Sequence, residues 1–512
     1  MPASLILRLV STAGPFIRSL SFMGHGQLLA NTLTDVTTHL CMEPAPLGGL
    51  SRTQLTSLNL QGCAGLTTRS LHHLLIRSPS LQKLSLKGLS AATNTTCDVI
   101  AAYCPYLVSL NLSGCSGLDA SGLLSLASAA ISRGGHLLLT ELRISGLKAI
   151  NDTIMATLGK AAPYLEILDL SYVRHLHNSA LQAFVSCEAS FGGEMVELTS
   201  RQAGHDPGNP TKYRRRLTRL RHLSLSSCVL LTDIACSHLA YSMPRLEYLE
   251  LAGIGAELRD DGLVRLLGTT PYLRRLDLED ASEITDDVLT ALTPDSEADA
   301  GLSAPKHSEP QTGHMLEHLI ISFAANVTDN ALFDLIRGCT HLRVLEADNT
   351  PISSAALKEF VRLSRQRRIM DSRIVAIDCR GISESVVNEL STTTRPRLGW
   401  RSYHARKLRY LDGRDKEDLK VGQDECDETR VVLKTFHSWQ MVDAVKAARE
   451  KRRKSTSRRA ANDSNGSVTD SEDFLLTNTA RARWWSPSGR RISGGNSPTT
   501  LDTNSNEGCR IM

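Results

Sequence analysis

The feature that most constrains the fold of this 512-residue chain is a leucine phrase that recurs about every 26 residues. The phrase reads LxxLxL, and LTSLNLQGC at 55–63 returns as LVSLNLSGC at 107–115. Six of the nine spacings between successive phrases are 26 or 27 residues, and the longer ones hold one or two units plus an insertion. Degenerate units at 16–24 and 374–382 extend the series to about twelve, which indicates a repeat protein. The first leucines of the phrases are Leu55, Leu81, Leu107, Leu139, Leu165, Leu220, Leu246, Leu273, Leu316 and Leu342.

Each unit contains one strand and one helix. LTSLNL alternates apolar and polar residues, as a half-buried strand does, whereas SLHHLLIRSP at 70–79 has apolar residues three and four apart, the helical period. One strand and one helix in 26 residues cannot bury both apolar faces, so neighbouring units have to stack. The pattern therefore predicts an α/β leucine-rich-repeat solenoid over 1–394, a horseshoe with parallel strands on its concave face and helices outside.

A cysteine follows the phrase in several units, at Cys63, Cys115 and Cys228. A metal ligand, a nucleophile, half of a disulfide and a small apolar plug are the four candidate roles. Other units place Leu89, Leu147, Val173, Ile254 or Ala281 at the same position, and that interchange favours packing over chemistry. We therefore predict that these cysteines are structural and that a weak S–H donor can bond a turn carbonyl.

The phrase LxxLxLxxC, with PxL before the next strand as in SPSLQKL and CPYLVSL, resembles the cysteine-containing leucine-rich-repeat family over about 5–394. That family includes F-box proteins and antagonist-of-mitotic-exit-network proteins. F-box members hold a protein substrate on the repeats while an N-terminal F-box binds the Skp-type adaptor of a cullin ubiquitin ligase. The resemblance thus implies a non-catalytic substrate-recognition subunit of an SCF-type ubiquitin ligase. The alternative is an F-box-less adaptor that sequesters a signalling or cell-cycle protein.

No F-box precedes the repeats, and residues 5–20 already resemble a repeat helix running into a strand. Two explanations stay open: the natural chain begins upstream with an F-box, which an uncovered first unit favours, or the protein works without one. The Skp-type adaptor and the cullin are expected as partners in the first case.

Residues that alternate with the buried leucines face the concave surface and are predicted to bind the protein partner. They change along the chain from neutral or basic to acidic. A solvated sheet face is the alternative interpretation for any one of them. The predicted set is Lys83, Lys87, Asn111, Tyr248, Glu250, Arg275, Asp277, Glu279, Glu346 and Asp348.

Two polar insertions, 187–216 and 294–313, interrupt the repeats and are predicted to be flexible excursions at the edge of the horseshoe. Tyr213 with 214–216 forms a candidate second contact patch within the first insertion.

Composition and motifs argue against several function classes. The net charge of +4 is too small to indicate a nucleic-acid partner, and no apolar run approaches the length of a membrane helix. The chain contains no GxxxxGK[ST], GxSxG, HExxH or metal-spaced Cys/His set. We therefore predict a protein that is not an enzyme, has no cofactor and is cytoplasmic or nuclear.

The part beyond the repeats is basic, with 24 Lys/Arg against 16 Asp/Glu over 395–512. We predict a C-terminal cap or extension at 395–433, a helix with a basic end at 434–459 and a disordered tail at 460–512. Ser486 and Ser497 precede prolines and are candidate phosphorylation sites.

The final four residues, CRIM, match a C-a-a-X prenylation signal. Cys509 is thus the predicted farnesylation site. One prenyl chain binds a membrane only marginally, and the WW/Arg stretch at 480–491 is a candidate second signal for a peripheral membrane location.

Overall fold

The computed structural model describes residues 3–41, 51–188, 192–206, 208–294, 311–395 and 428–438. Within these ranges, fourteen strands form one parallel sheet, two form a separate antiparallel hairpin, and the main helices alternate with the strands. The strands are β1 (Ser19–Ser21), β2 (Ser57–Asn59), β3 (Lys83–Ser85), β4 (Ser109–Asn111), β5 (Glu141–Arg143), β6 (Ile167–Asp169), β7 (Met195–Leu198), β8 (Tyr213–Arg216), β9 (His222–Ser224), β10 (Tyr248–Glu250), β11 (Arg275–Asp277), β12 (His318–Ile320), β13 (Val344–Glu346), β14 (Arg373–Ala376), β15 (Thr394–Arg395) and β16 (Val431–Thr435).

The helices follow the strands and form the second layer of the solenoid. Two short 3-10 helices, Gly14–Phe16 and Leu390–Thr392, supplement them. The α-helices are α1 (Ala3–Ala13), α2 (Ala30–Leu40), α3 (Thr68–Ile76), α4 (Asn94–Tyr103), α5 (Ala120–Ser132), α6 (Asp152–Ala161), α7 (Asn178–Val185), α8 (Ser200–Ala203), α9 (Asp233–Leu239), α10 (Asp260–Leu267), α11 (Asp286–Leu292), α12 (Asp329–Gly338), α13 (Ser354–Gln366) and α14 (Glu384–Glu389).

The prediction of a leucine-rich-repeat solenoid is confirmed. Each LxxLxL phrase forms a three-residue strand whose central leucine is buried, as at Leu58, Leu84 and Leu110, which are at most 1% exposed. These leucines pair in register from strand to strand. The concave positions on either side of each central leucine therefore also form continuous rows across the sheet.

Carboxylates at the helix starts tie neighbouring units together. Asp260 Oδ1 accepts from the backbone N–H of Thr285 at 2.9 Å, and Asp286 Oδ1 accepts from that of Thr328 at 2.7 Å. Asp329 continues the series by accepting from the N–H of Ser353 at 2.8 Å. The carboxylate of the first helical residue of one unit thus accepts a backbone N–H at the start of the next unit's helix. Backbone N–H groups at a helix start have no partner within the helix.

The repeat cysteines lie inside the core and bond across units. Cys63 Sγ donates to the Phe22 carbonyl at 3.2 Å, Cys115 Sγ to that of Leu86 at 3.1 Å and Cys228 Sγ to that of Leu170 at 3.2 Å. In each case the acceptor carbonyl belongs to the residue directly after the strand of the preceding unit. The thiol therefore packs as a small apolar group and also links two units. All ten cysteines in the described ranges are free thiols.

The first insertion departs from the sequence prediction. Its described residues form the β7–β8 hairpin and helix α8 instead of a flexible excursion. Arg215 is 2% exposed and donates to the carbonyls of Ala203, Ser237 and Ala240, and Arg216 is 5% exposed. The prediction of a contact patch at these two arginines is therefore wrong, because both side chains are buried in the interior of the protein.

The C-terminal end of the sheet is also different from the prediction. Strand β16 lies between β14 and β15, although it follows both in the chain. Lys434 and Thr435, which the sequence assigns to the start of a helix, belong to this strand. Residues 436–438 are helical, as predicted. The rest of that predicted helix from 439 on, the second insertion between 295 and 310, Ser486, Ser497 and Cys509 lie outside the described residues.

Thiol labelling tests the buried state of the cysteines. Burial raises the pKa of the Cys228 thiol to about 12 and also raises that of Cys63 and Cys115, which suppresses the reactive thiolate. We expect Ellman's reagent to leave these three unmodified in the native protein, with mass spectrometry locating the labels. In guanidinium chloride all twelve cysteines should react. Rapid native labelling of any of these three would contradict the packing role.

Candidate protein-binding surface

The predicted binding residues all lie on the concave side of the sheet or just past a strand end, in two groups. The early group consists of Lys83 on β3, Lys87 just past the end of β3, and Asn111 on β4. Four strand-to-strand steps separate β4 from β10, so this group and the later one are about 19 Å apart along the sheet. The later group consists of Tyr248, Glu250, Arg275, Asp277, Glu279, Glu346 and Asp348.

Five carboxylates of the later group form a surface that we call the acidic arc. They occupy fifth and seventh positions of the repeat units that contain β10 to β13. The first and last of these strands are three strand steps, or about 14 Å, apart. Among the third, fifth and seventh positions of these four strands, Arg275 is the single Lys or Arg. The members of the acidic arc are Glu250, Asp277, Glu279, Glu346 and Asp348.

Two members of the arc are partnered by histidine and arginine. His222 Nε2 lies 3.7 Å from Glu250 Oε1, and this histidine, with Ser224 and the Arg275 guanidinium, lowers the pKa of Glu250 to about 2. His318 Nε2 lies 3.3 Å from Glu346 Oε1 and lowers the pKa of Glu346 below its usual value. Both carboxylates are therefore ionised at neutral pH.

The other three members differ in their partners: Asp277 Oδ2 lies 3.5 Å from Arg275 Nη2, whereas Asp348 forms no ion pair among the described residues. Burial raises the pKa of Asp277, whose Oδ1 accepts from the Glu279 N–H at 3.2 Å, and repulsion from Glu250 adds to the rise. Burial also raises the pKa of Asp348, which accepts from the Ile377 N–H at 2.7 Å. Glu279 is exposed and has no ion-pair partner among the described residues. Reduced hydration of this carboxylate beside the sheet, followed by repulsion from the neighbouring carboxylates, raises the pKa of Glu279 as well.

Four residues of this surface were absent from the predicted set. His222 and His318 are third-position residues of units already recognised, so the repeat frame alone could have identified them. Arg373 Nη2 reaches Glu346 Oε1 at 3.3 Å from β14. Lys434 shares a register row with Glu346 through β14, and only the out-of-order strand β16 brings it there.

The arrangement suits the binding of cationic groups by a rigid surface. An added lysine or arginine side chain would relieve the repulsion that adds to burial in raising the pKa of Asp277, Glu279 and Asp348. Within the described ranges, no group of three or more His, Cys, Asp or Glu residues could hold a metal ion. In the same ranges, no helix has the length and apolar character needed to cross a bilayer.

Comparisons with known proteins find distant similarity. No family model matches the chain. A lysine-specific demethylase 2A from Xenopus tropicalis is 26% identical over 208 residues, which is 40% of this chain and 18% of that protein's length. The chain therefore spans less than a fifth of this relative.

Among solved structures, the Rad7 and Elc1 complex in yeast matches with a TM-score of 0.46 and 19% identity over 67% of this chain and 73% of that one. The TLR13–ssRNA13 complex matches with a TM-score of 0.33 and 16% identity over 66% and 40%. Both are too distant to transfer a partner or a site, and the repeat fold rests on the strands and helices described above.

The raised pKa values predict a pH-dependent affinity for a basic peptide. Acidification protonates Asp277, Glu279 and Asp348 at higher pH than ordinary carboxyl groups, while lysine stays charged. We expect a fluorescent peptide of alternating lysine and serine to bind about 3- to 10-fold more weakly at pH 5 than at pH 7, or roughly 0.7–1.4 kcal/mol. Glu279→Gln should weaken binding at pH 7 and flatten this dependence. An affinity that is equal at both pH values would contradict the account.

Proposed function

We propose that the chain is a non-catalytic protein-binding subunit that holds a basic segment of its partner on the acidic arc. We further propose that this partner is the substrate of an SCF-type ubiquitin ligase, with the chain as the substrate-recognition subunit. The ligase part is supported by the family resemblance of the repeats. The binding part is supported by one observation above all: five carboxylates lie on neighbouring strands of a rigid sheet, and Arg275 is the single Lys or Arg among their facing positions.

A protein segment fits this surface better than other ligand classes. The acidic arc extends across four strands of one sheet face and is polar, whereas small-molecule sites are usually enclosed and largely apolar. Its charge repels phosphate groups, which dominate the affinity of proteins for nucleic acids. Complementary charge across an interface raises the association rate and selects against wrong partners.

The variant that tests the site has to avoid residues with structural roles. Asp277 is 8% exposed and Asp348 accepts a backbone N–H, so reversal of either charge would disturb the sheet. Glu279 is exposed and can be reversed with little effect on folding. Glu279→Lys therefore probes the acidic arc, and Asp334→Lys, the same charge reversal at an exposed position of the outer helix α12, is the matched control.

Affinity purification of the natively expressed protein tests the proposal. We expect wild type and Asp334→Lys to co-purify a Skp-type adaptor, a cullin and a substrate, and Glu279→Lys to retain the adaptor but lose at least about 80% of the substrate. A partner captured without adaptor or cullin would overturn the ligase part and favour the sequestering adaptor. A substrate captured equally by Glu279→Lys would overturn the role of the acidic arc.

We also propose that farnesylation of Cys509 holds a fraction of the protein at membranes, with the remainder cytoplasmic or nuclear. The support is the terminal sequence CRIM, which matches a prenylation signal. Cys509→Ser should shift the membrane-bound pool to the soluble fraction in cell fractionation, and a farnesyltransferase inhibitor should do the same to wild type. An unchanged distribution in both experiments would exclude the anchor.

A further inference from the structure

The turn that follows each strand contains one residue in the left-handed backbone region. In the early units this residue is glycine, as at Gly62 (φ 75°) and Gly88 (φ 71°). Glycine adopts this region without steric cost because it has no side chain. In later units the same place is taken by Tyr172 (φ 61°), Ser227 (φ 60°), Asp280 (φ 67°) and Phe323 (φ 69°).

A backbone ladder shows that these residues are equivalent. The N–H of Gly62 donates to the Lys87 carbonyl in the next unit at 3.2 Å, and the N–H of Tyr172 donates likewise to Ser226 at 2.8 Å. The N–H of Phe323 donates to the Asp348 carbonyl at 2.8 Å. The row therefore passes along the carboxyl edge of the sheet, with Gly253 and Asp280 between Ser227 and Phe323.

Tyr172 and Phe323 are costly in this row for two reasons. A bulky side chain in the left-handed region is strained, and such residues are uncommon there outside functional positions. Their rings are also open to solvent, with Tyr172 61% and Phe323 41% exposed. Burial of these rings in the core therefore does not offset the backbone strain.

Charge and spacing indicate what covers these rings. Phe323 is followed in the row by Asn349 and preceded by Asp280, and its N–H bonds the backbone of Asp348 in the acidic arc. Tyr172 and Phe323 are four strand steps apart, β6 to β9, β10, β11 and β12, or about 19 Å. An extended chain rises about 3.3 Å per residue, so about six residues bridge the two rings.

We propose that Tyr172 and Phe323 are apolar anchors for an extended partner peptide that crosses the carboxyl edge of the sheet. The peptide has one apolar side chain for each ring, about six residues apart, and basic residues between them that face Glu279 and Asp280. This inference rests on the proposed function, since it adds the anchors and the spacing to a basic segment bound at the acidic arc.

Two fluorescent seven-residue peptides test the inference by anisotropy with the full chain. The first has leucine at both ends, one lysine and one arginine between them and serine elsewhere, and the second replaces both leucines by serine. We expect wild type to bind the first at least 10-fold more tightly than the second. Phe323→Gly should reduce that ratio by about half an order of magnitude or more, and it should raise the midpoint of thermal unfolding by about 1–3 °C because the strain is relieved.

Two matched variants separate the contribution of the aromatic ring to peptide binding from the effect of backbone strain on stability. Ser227→Gly relieves the same backbone conformation without removing a ring, so it should raise the unfolding midpoint and leave the ratio unchanged. Phe323→Ala removes the ring and keeps the strain, so it should lower the ratio without stabilising the protein.

The two levels of the proposal fail differently. An unchanged ratio in both Phe323 variants, with binding of both peptides still lost in Glu279→Lys, overturns the anchors and leaves the acidic arc standing. Failure of wild type to bind either peptide overturns the anchors together with the basic-segment proposal.

Discussion

The whole structure depends on a packing constraint: no repeat can bury its own leucines, and each is covered only by its neighbours. The central leucines of successive strands, such as Leu249 and Leu276, are completely buried and pair in register. Burial of one such side chain contributes about 1.5–3 kcal/mol, and a slip by one residue would turn it to solvent. Register is therefore locked over the length of the sheet, and the polar residues between the leucines are held in fixed rows.

The locked register makes the acidic arc possible. Carboxylates that repel each other would separate on a mobile loop, but the backbone carbonyls of Asp277 and Glu279 accept from the N–H groups of Leu251 and Gly253 in the preceding unit. The free energy of packing the leucines offsets the repulsion between these carboxylates. A bound cationic ligand would reduce that repulsion and thereby gain affinity. The same logic applies to Tyr172 and Phe323, whose strained turns persist because the ladder on both sides fixes them.

Much of this architecture could be predicted from the 26-residue period, because a regular repeat converts sequence position directly into a position on the sheet. Glu250, Asp277 and Glu346 were placed on the concave face in this way. The period could not reveal that Arg215 points inward, because its acceptors include carbonyls in α8 and α9 that come together only in the fold. It could not place β16 between β14 and β15, because a long segment without the repeat pattern separates them. Nor could it reveal the strained turns, since Tyr172 and Phe323 do not resemble the glycine whose place they take.

Hydrogen–deuterium exchange of the full chain, alone and with its captured partner, tests the central claim most directly. A partner segment bound at the acidic arc predicts slower exchange at the carboxyl ends of β10, β11, β12 and β13, within 248–280 and 318–349, and unchanged exchange in the outer helices. Protection confined to the outer helices, with none in these strands, would contradict the account.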